Sequence, residues 1–266
     1  MKKTGFILVL ILLVFAVFHM LFLQPKSEFV EGDLYDEIMQ RGFLKVGVTA
    51  NSKPFGYKNE KGEQVGYDVD LAHYIAQYIV KDRDKVKLVP LESYERLIKA
   101  STGEVDIVIS TLTITPQRQE VVSFSIPYDV AGQAVMVKAD SSIRALADLA
   151  GQNVGVIFGT TAEKNMANLV PTANLRGFRS YIDAYKALKS GQINAITSDD
   201  TILSGLAIDD ASVKLLPKRY SQEPYGIAFK KSNATLKLKE NLDFAIQDMQ
   251  QKNVIPRLRK QWGVGL

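Results

Sequence analysis

Chemistry in this sequence concentrates where apolar runs give way to hydroxyls and charges. In Val105-Asp106-Ile107-Val108-Ile109-Ser110-Thr111-Leu112-Thr113-Ile114-Thr115-Pro116-Gln117-Arg118, a buried-strand pattern ends in hydroxyls and an arginine follows within about one helical turn. Hydroxyls, free backbone N–H groups and a forked guanidinium converging at a strand's C-terminal edge make a seat for a carboxylate. The same segment also reads as a helix N-cap followed by a surface arginine. A second stretch, Gly66-Tyr67-Asp68-Val69-Asp70-Leu71, opens a helical pattern with two carboxylates, which suits capping of free N–H groups and the helix dipole. Other chemistries are poorly supplied. There is no cysteine, so thiolate zinc sites, iron–sulfur clusters and thiol catalysis are excluded, and the only histidines are His19 and His73. No metal, cofactor or catalytic residue is expected.

These residues need elements to hold them. Short β-type runs at Leu44–Val48, Val86–Val89, Val105–Ser110, Ala134–Val137, Val154–Ile157, Ala195–Thr197 and Gly226–Phe229 alternate with amphipathic stretches at Val69–Val80, Tyr94–Ala100, Ala162–Asn168 and Ala184–Lys189. That alternation predicts an α/β fold with mostly parallel strands. Leu238, Leu242, Ala245 and Met249 fall at helical spacing and predict a helix over Leu236–Gln250. Pro127-Tyr128 and Glu223-Pro224-Tyr225-Gly226 punctuate the pattern and are read as two crossings between lobes. Residues 31–130 with 225–266 would form one lobe and residues 131–224 the other. A chain of 266 residues that is 46 % hydrophobic can supply cores for both.

Lys2-Lys3 precede Phe6–Leu23, a run in which only His19 is polar, and Glu28, Glu31 and Asp33 follow. Residues 1–30 thus read as an export signal or a membrane anchor. The run would span about 27 Å as a helix, near the ~30 Å hydrocarbon core. No small-x-small cleavage site is visible, so retention as an anchor is expected, with the rest of the chain outside the cytoplasm. Apart from those two lysines, the 33 Lys+Arg and 29 Asp+Glu nearly cancel, leaving no basic footprint for nucleic acid.

From about Leu44 to Gly263 the sequence resembles the extracytoplasmic polar amino-acid binding proteins of ABC importers, solute-binding family 3. The resemblance is carried by Lys45-Val46-Gly47-Val48, Pro54-Phe55, Gly66-Tyr67-Asp68-Val69-Asp70-Leu71, Gly103-Glu104-Val105-Asp106, the Ser110-to-Arg118 segment, Phe124-Ser125-Ile126-Pro127-Tyr128, Tyr225-Gly226-Ile227-Ala228 and Trp262-Gly263. It implies a type II periplasmic-binding-protein fold, two α/β lobes joined by two crossover strands, with the ligand in the cleft. It further implies a monomer that delivers an amino acid to an ABC permease.

The resemblance also implies roles. Arg118 matches the arginine that grips the ligand α-carboxylate, with the Thr113 N–H and hydroxyl as co-donors and Thr111 lining the same edge. In Gly159-Thr160-Thr161, Thr160 and Thr161 match the loop whose threonine donates to that carboxylate, although a helix N-cap suits the same position. Asp199 matches the acceptor of the ligand ammonium, and Asp200 reads as a helix-start carboxylate. Ser93-Tyr94-Glu95-Arg96 is similar to a segment of the glutamate/aspartate binders, so Arg96 is expected to read a side-chain carboxylate. Thr49, where those relatives often carry a basic residue, argues against it. The ligand expected from these matches is glutamate or aspartate, with glutamine or another polar amino acid as the alternative. Extracytoplasmic dehydratases resemble the same family, and Glu95 or Glu163 would then be the general acid. A sensor needing a separate signalling partner is the third reading.

Overall fold

The computed structural model describes residues 32–265. The reading of residues 1–30 as signal or anchor lies outside them. Helix α1 (Leu34–Arg41) leads into β1 (Leu44–Thr49), the small ribbon β2 (Tyr57–Lys58) and β3 (Gln64–Val65), helix α2 (Tyr67–Ile79) and β4 (Val86–Leu91). Then come α3 (Arg96–Thr102), β5 (Ile107–Ile109), the short α4 (Pro116–Gln119) and β6 (Val122–Ala131). After Gly132 the chain builds β7 (Gln133–Lys138), β8 (Asn153–Ile157), α5 (Ala162–Leu169), β9 (Asn174–Phe178), α6 (Tyr181–Ser190), β10 (Ala195–Asp199), α7 (Asp200–Ala207) and β11 (Val213–Leu215). Finally β12 (Glu223–Lys230) precedes α8 (Leu236–Gln251) and α9 (Val254–Trp262).

The strands form two five-stranded sheets, ordered β4-β1-β5-β12-β6 and β11-β7-β10-β8-β9. β5 and β8 therefore belong to different sheets. Strand direction departs from the mostly parallel expectation. β1 runs parallel to β4 and β5, and β8 to β9 and β10, whereas β12 is antiparallel to β5 and β6, and β7 to β10 and β11. The antiparallel partners include β6, β7 and β12, the strands that flank the two crossings, where the chain continues without a helical crossover that would restore its direction.

The sequence pattern gave no strand at β2, β3, β6, β9 or β11, and for β6 and β9 the reason is physical. β6 contains Pro127, which breaks a strand reading, yet β6 is an edge strand, where a missing N–H is tolerated. β9 has no apolar alternation because it is the edge of its own sheet and largely exposed.

Packing follows the helical spacings. Leu71, Ala72, Ile75, Ala76 and Ile79 of α2, and Leu238, Leu242, Ala245, Ile246 and Met249 of α8, are fully buried in one cluster. Phe55, Tyr67, Tyr128 and Tyr225 pack ring to ring at centroid distances of 5.8–6.3 Å and gather the β1–β2 loop, α2, β6 and β12 beneath the region where the sheets meet.

Candidate functional site

The site is built where β5 stops. Ser110 and Thr111 follow its last residue, and Thr111 adopts φ 45°, a left-handed backbone uncommon for a β-branched residue. Such a conformation persists only when its surroundings hold it. Here the Thr111 N–H donates to the Tyr128 hydroxyl at 3.2 Å, while the Arg96 guanidinium donates to the Ser110 carbonyl at 2.7 Å and to the Thr111 carbonyl and hydroxyl at 3.2 Å. Arg96 opens α3 and is only 3 % exposed. Its Nε donates to the Ser93 carbonyl, so most of its fork is committed to backbone oxygens of its own sheet.

Arg118 lies in α4, which Thr115 caps by accepting the Arg118 N–H at 3.2 Å. One Arg118 nitrogen donates to the Thr113 carbonyl at 2.8 Å. Thr113 is buried and bridged to Tyr225 through its neighbours: the Ile114 N–H donates to Pro224 and the Gly226 N–H to Leu112. That pattern leaves the Thr113 N–H outside the ladder. Burial and the charge of Arg96 lower the Arg118 pKa to about 10, opposed by Asp199 and Glu223, and it remains cationic at neutral pH.

Both guanidinium groups reach across to the second sheet and meet at one atom. The Gly159 carbonyl accepts from Arg118 at 2.9 Å and from Arg96 at 3.2 Å. Gly159 has φ 80°, and a Cβ there would stand 2.6 Å from the Ser93 carbonyl oxygen, so only glycine lets the loop approach this closely. Next in the chain, the Thr160 hydroxyl donates to the Ile157 carbonyl at 2.8 Å and the Thr161 hydroxyl to Glu223 at 2.8 Å. The Thr161 side chain does not cap α5.

Asp199 ends β10 and is 7 % exposed. Its carboxylate accepts the Tyr225 hydroxyl at 2.5 Å, a bond that joins the two sheets. Burial, with Glu223 and Asp200 adding repulsion, pushes its pKa up to about 7 against the opposing pull of Tyr225 and Arg96. Asp200 instead accepts the Gly132 and Thr201 N–H groups and the Arg219 guanidinium.

The helix-capping role expected of Asp68 and Asp70 is corrected by the structure. The N-cap of helix α2 is Gly66, which supplies no side-chain cap. Asp68 turns inward, fully buried, accepting from Thr49 at 2.9 Å and Tyr128 at 3.3 Å, and desolvation lifts its pKa to about 8. Thr49 is also bonded to the Ser110 hydroxyl at 2.9 Å. Asp70 accepts from Trp262 and Gln261, fastening α9 to α2. Of the two carboxyls weighed as general acids, Glu163 is exposed and Glu95 accepts the Glu92 N–H. A cavity of about 430 Å³ is lined by Lys53, Tyr57, Ile182 and Leu206 among others. Arg96, Arg118 and Asp199 do not line it.

The arrangement thus offers cationic and anionic groups a few residues from the ends of strands in two different sheets. Residues 44–265 match the family model for bacterial extracellular solute-binding proteins, family 3. The chain belongs to that family. It is 39 % identical over 194 residues to a glutamine-binding protein of Geobacillus stearothermophilus, covering 72 % of this chain and 74 % of the relative. Identity is 34 % to the ABC transporter glutamine-binding protein of Bacillus subtilis, covering 81 % and 79 %. Among solved structures, an ancestral amino acid-binding protein that is a precursor of cyclohexadienyl dehydratase superposes with a TM-score of 0.78 at 32 % identity, covering 87 % of this chain and 99 % of that one. This family 3 member is therefore an extracytoplasmic amino-acid solute-binding protein with the type II periplasmic-binding-protein fold.

Proposed function

We propose that this family 3 protein clasps a polar amino acid between the two sheets and hands it to an ABC permease, with glutamine the preferred ligand. The observation that carries the reading is the meeting of Arg118 and Arg96 from one sheet with the Gly159 loop and Asp199 of the other. The α-carboxylate takes Arg118 and the N–H groups of Thr113 and Thr161, and the ammonium takes Asp199, with Thr111 and Thr160 shaping the walls. In this reading residues 31–130 with 225–266 move as one lobe and 131–224 as the other, closing around the ligand.

Charge favours a neutral side chain. With Asp68 held mostly protonated near pH 7, and Asp199 ionised once the ligand ammonium sits beside it, Arg96 and Arg118 are balanced by Asp199 and Glu223, so a zwitterion leaves the cleft neutral and an extra carboxylate does not. Both relatives named above bind glutamine by their names, which agrees. Glutamate or aspartate is the second reading, favoured by the buried Arg96 guanidinium. Calorimetric titration at pH 8 separates them: glutamine should bind at least tenfold more tightly than glutamate. In Arg96→Met, glutamate binding falling far more than glutamine binding would instead assign Arg96 to a ligand carboxylate, as expected from the sequence.

Binding should also follow the ionisation of Asp199. Its pKa is raised to about 7, and an ammonium beside it would lower that value in the complex. Affinity is therefore full above about pH 8 and falls towards tenfold per unit as pH drops below 7, with a proton released on binding near pH 7. Titrations in buffers of different ionisation enthalpy measure that proton. Its absence, with affinity flat from pH 5 to 8, would remove Asp199 from the ammonium site.

A further inference from the structure

We propose that Glu223 sets the charge class of the ligand, holding a fixed negative charge beside the carboxylate seat that disfavours an anionic side chain. Glu223 is the first residue of β12, at the second crossing, and is 3 % exposed. Its carboxylate accepts from the Thr161 hydroxyl at 2.8 Å, the Asn165 amide at 3.1 Å and the Ser221 hydroxyl at 2.6 Å. These three donors are uncharged, so they fix the carboxylate in place without cancelling its charge. Two of them belong to α5 and its leading loop, which also carries Gly159, the meeting point of Arg96 and Arg118. The charge is felt at both poles of the site, since it raises the Asp199 pKa and supports the cationic form of Arg118. By holding the Thr161 hydroxyl, Glu223 also leaves the ligand carboxylate only the N–H of that residue.

The inference rests on the amino-acid-binding reading, and its test separates the two. Glutamine and glutamate are nearly isosteric and differ by one charge, so their affinity ratio reports the field of Glu223 while changes in shape cancel. In Glu223→Gln, the glutamate-to-glutamine affinity ratio at pH 8 should rise about tenfold or more over the natural protein. Glu223→Asp, which keeps the charge, should hold the natural ratio, as should Asn165→Ala, which removes an anchor and not the charge. A ratio unchanged in Glu223→Gln, or raised equally in Glu223→Asp, would make Glu223 a purely structural anchor and overturn the inference while leaving the amino-acid reading standing. Failure of the natural protein to bind any amino acid would overturn both.

Discussion

Replacing Arg118 with alanine should abolish amino-acid binding while leaving the fold intact. Among the described residues this side chain donates to the carbonyls of Thr113 and Gly159, both outside the apolar clusters that form the core, so its removal leaves those clusters whole. Those oxygens lie on opposite sheets, which places the guanidinium where a bound carboxylate would be gripped from both sides. Removing one partner of a desolvated, hydrogen-bonded ion pair costs about 2–5 kcal/mol, or roughly 30-fold to several-thousand-fold in affinity. Arg118→Lys should recover little of this, because an ammonium cannot span two acceptors in a plane. Calorimetry with glutamine, alongside thermal melts of each variant, reads both effects. Natural affinity in Arg118→Ala would dismantle the proposed carboxylate seat.

The segment that supplies Arg118 could be picked out from the sequence because its chemistry is local: strand, hydroxyls and arginine follow one another from Val105 to Arg118. Glu223 could not, since the donors that hold it, Thr161 and Asn165, are 62 and 58 residues away in the chain. Tyr225 stands out in the sequence as punctuation before a strand and as part of the family resemblance, and nothing local announces that its phenol meets Asp199 from another sheet. Asp68 shows the reverse error. Its place in a first helical turn matched a cap, and only the tertiary fold, by burying it against Thr49 and Tyr128, drew the carboxyl inward. The same divide holds for the strands: β1 and β10 declared themselves through apolar runs, while β6 and β9 depend on an edge position that only the assembled sheets define.

In the proposed two-lobe arrangement, Gly205→Ala should weaken ligand binding without lowering the stability of the free protein. Gly205 lies within α7 of the second sheet, where glycine costs about 0.5–1 kcal/mol relative to alanine. Viewed as helix alone, the change is favourable. The approach of the other sheet makes it costly, because a Cβ at Gly205 would stand 2.1 Å from the Lys53 carbonyl oxygen and 2.7 Å from Pro54 Cδ. That segment cannot retreat easily: the Ser52 N–H donates to Gly56 at 2.7 Å, Phe55 N–H to Ser52 at 2.9 Å and Tyr67 N–H to Pro54 at 2.9 Å. If the two lobes move as proposed, relief comes from their standing further apart, which withdraws Asp199 and the Gly159 loop from Arg118. An overpacked contact of this kind costs about 1–3 kcal/mol, so affinity should fall roughly 5- to 150-fold. Thermal melts without ligand should rise or hold, while calorimetry records the loss. Unchanged affinity would mean that the ligand-bound form does not bring α7 onto the Lys53–Pro54 turn, and a lowered melting temperature would mean that this contact belongs to the free protein as well.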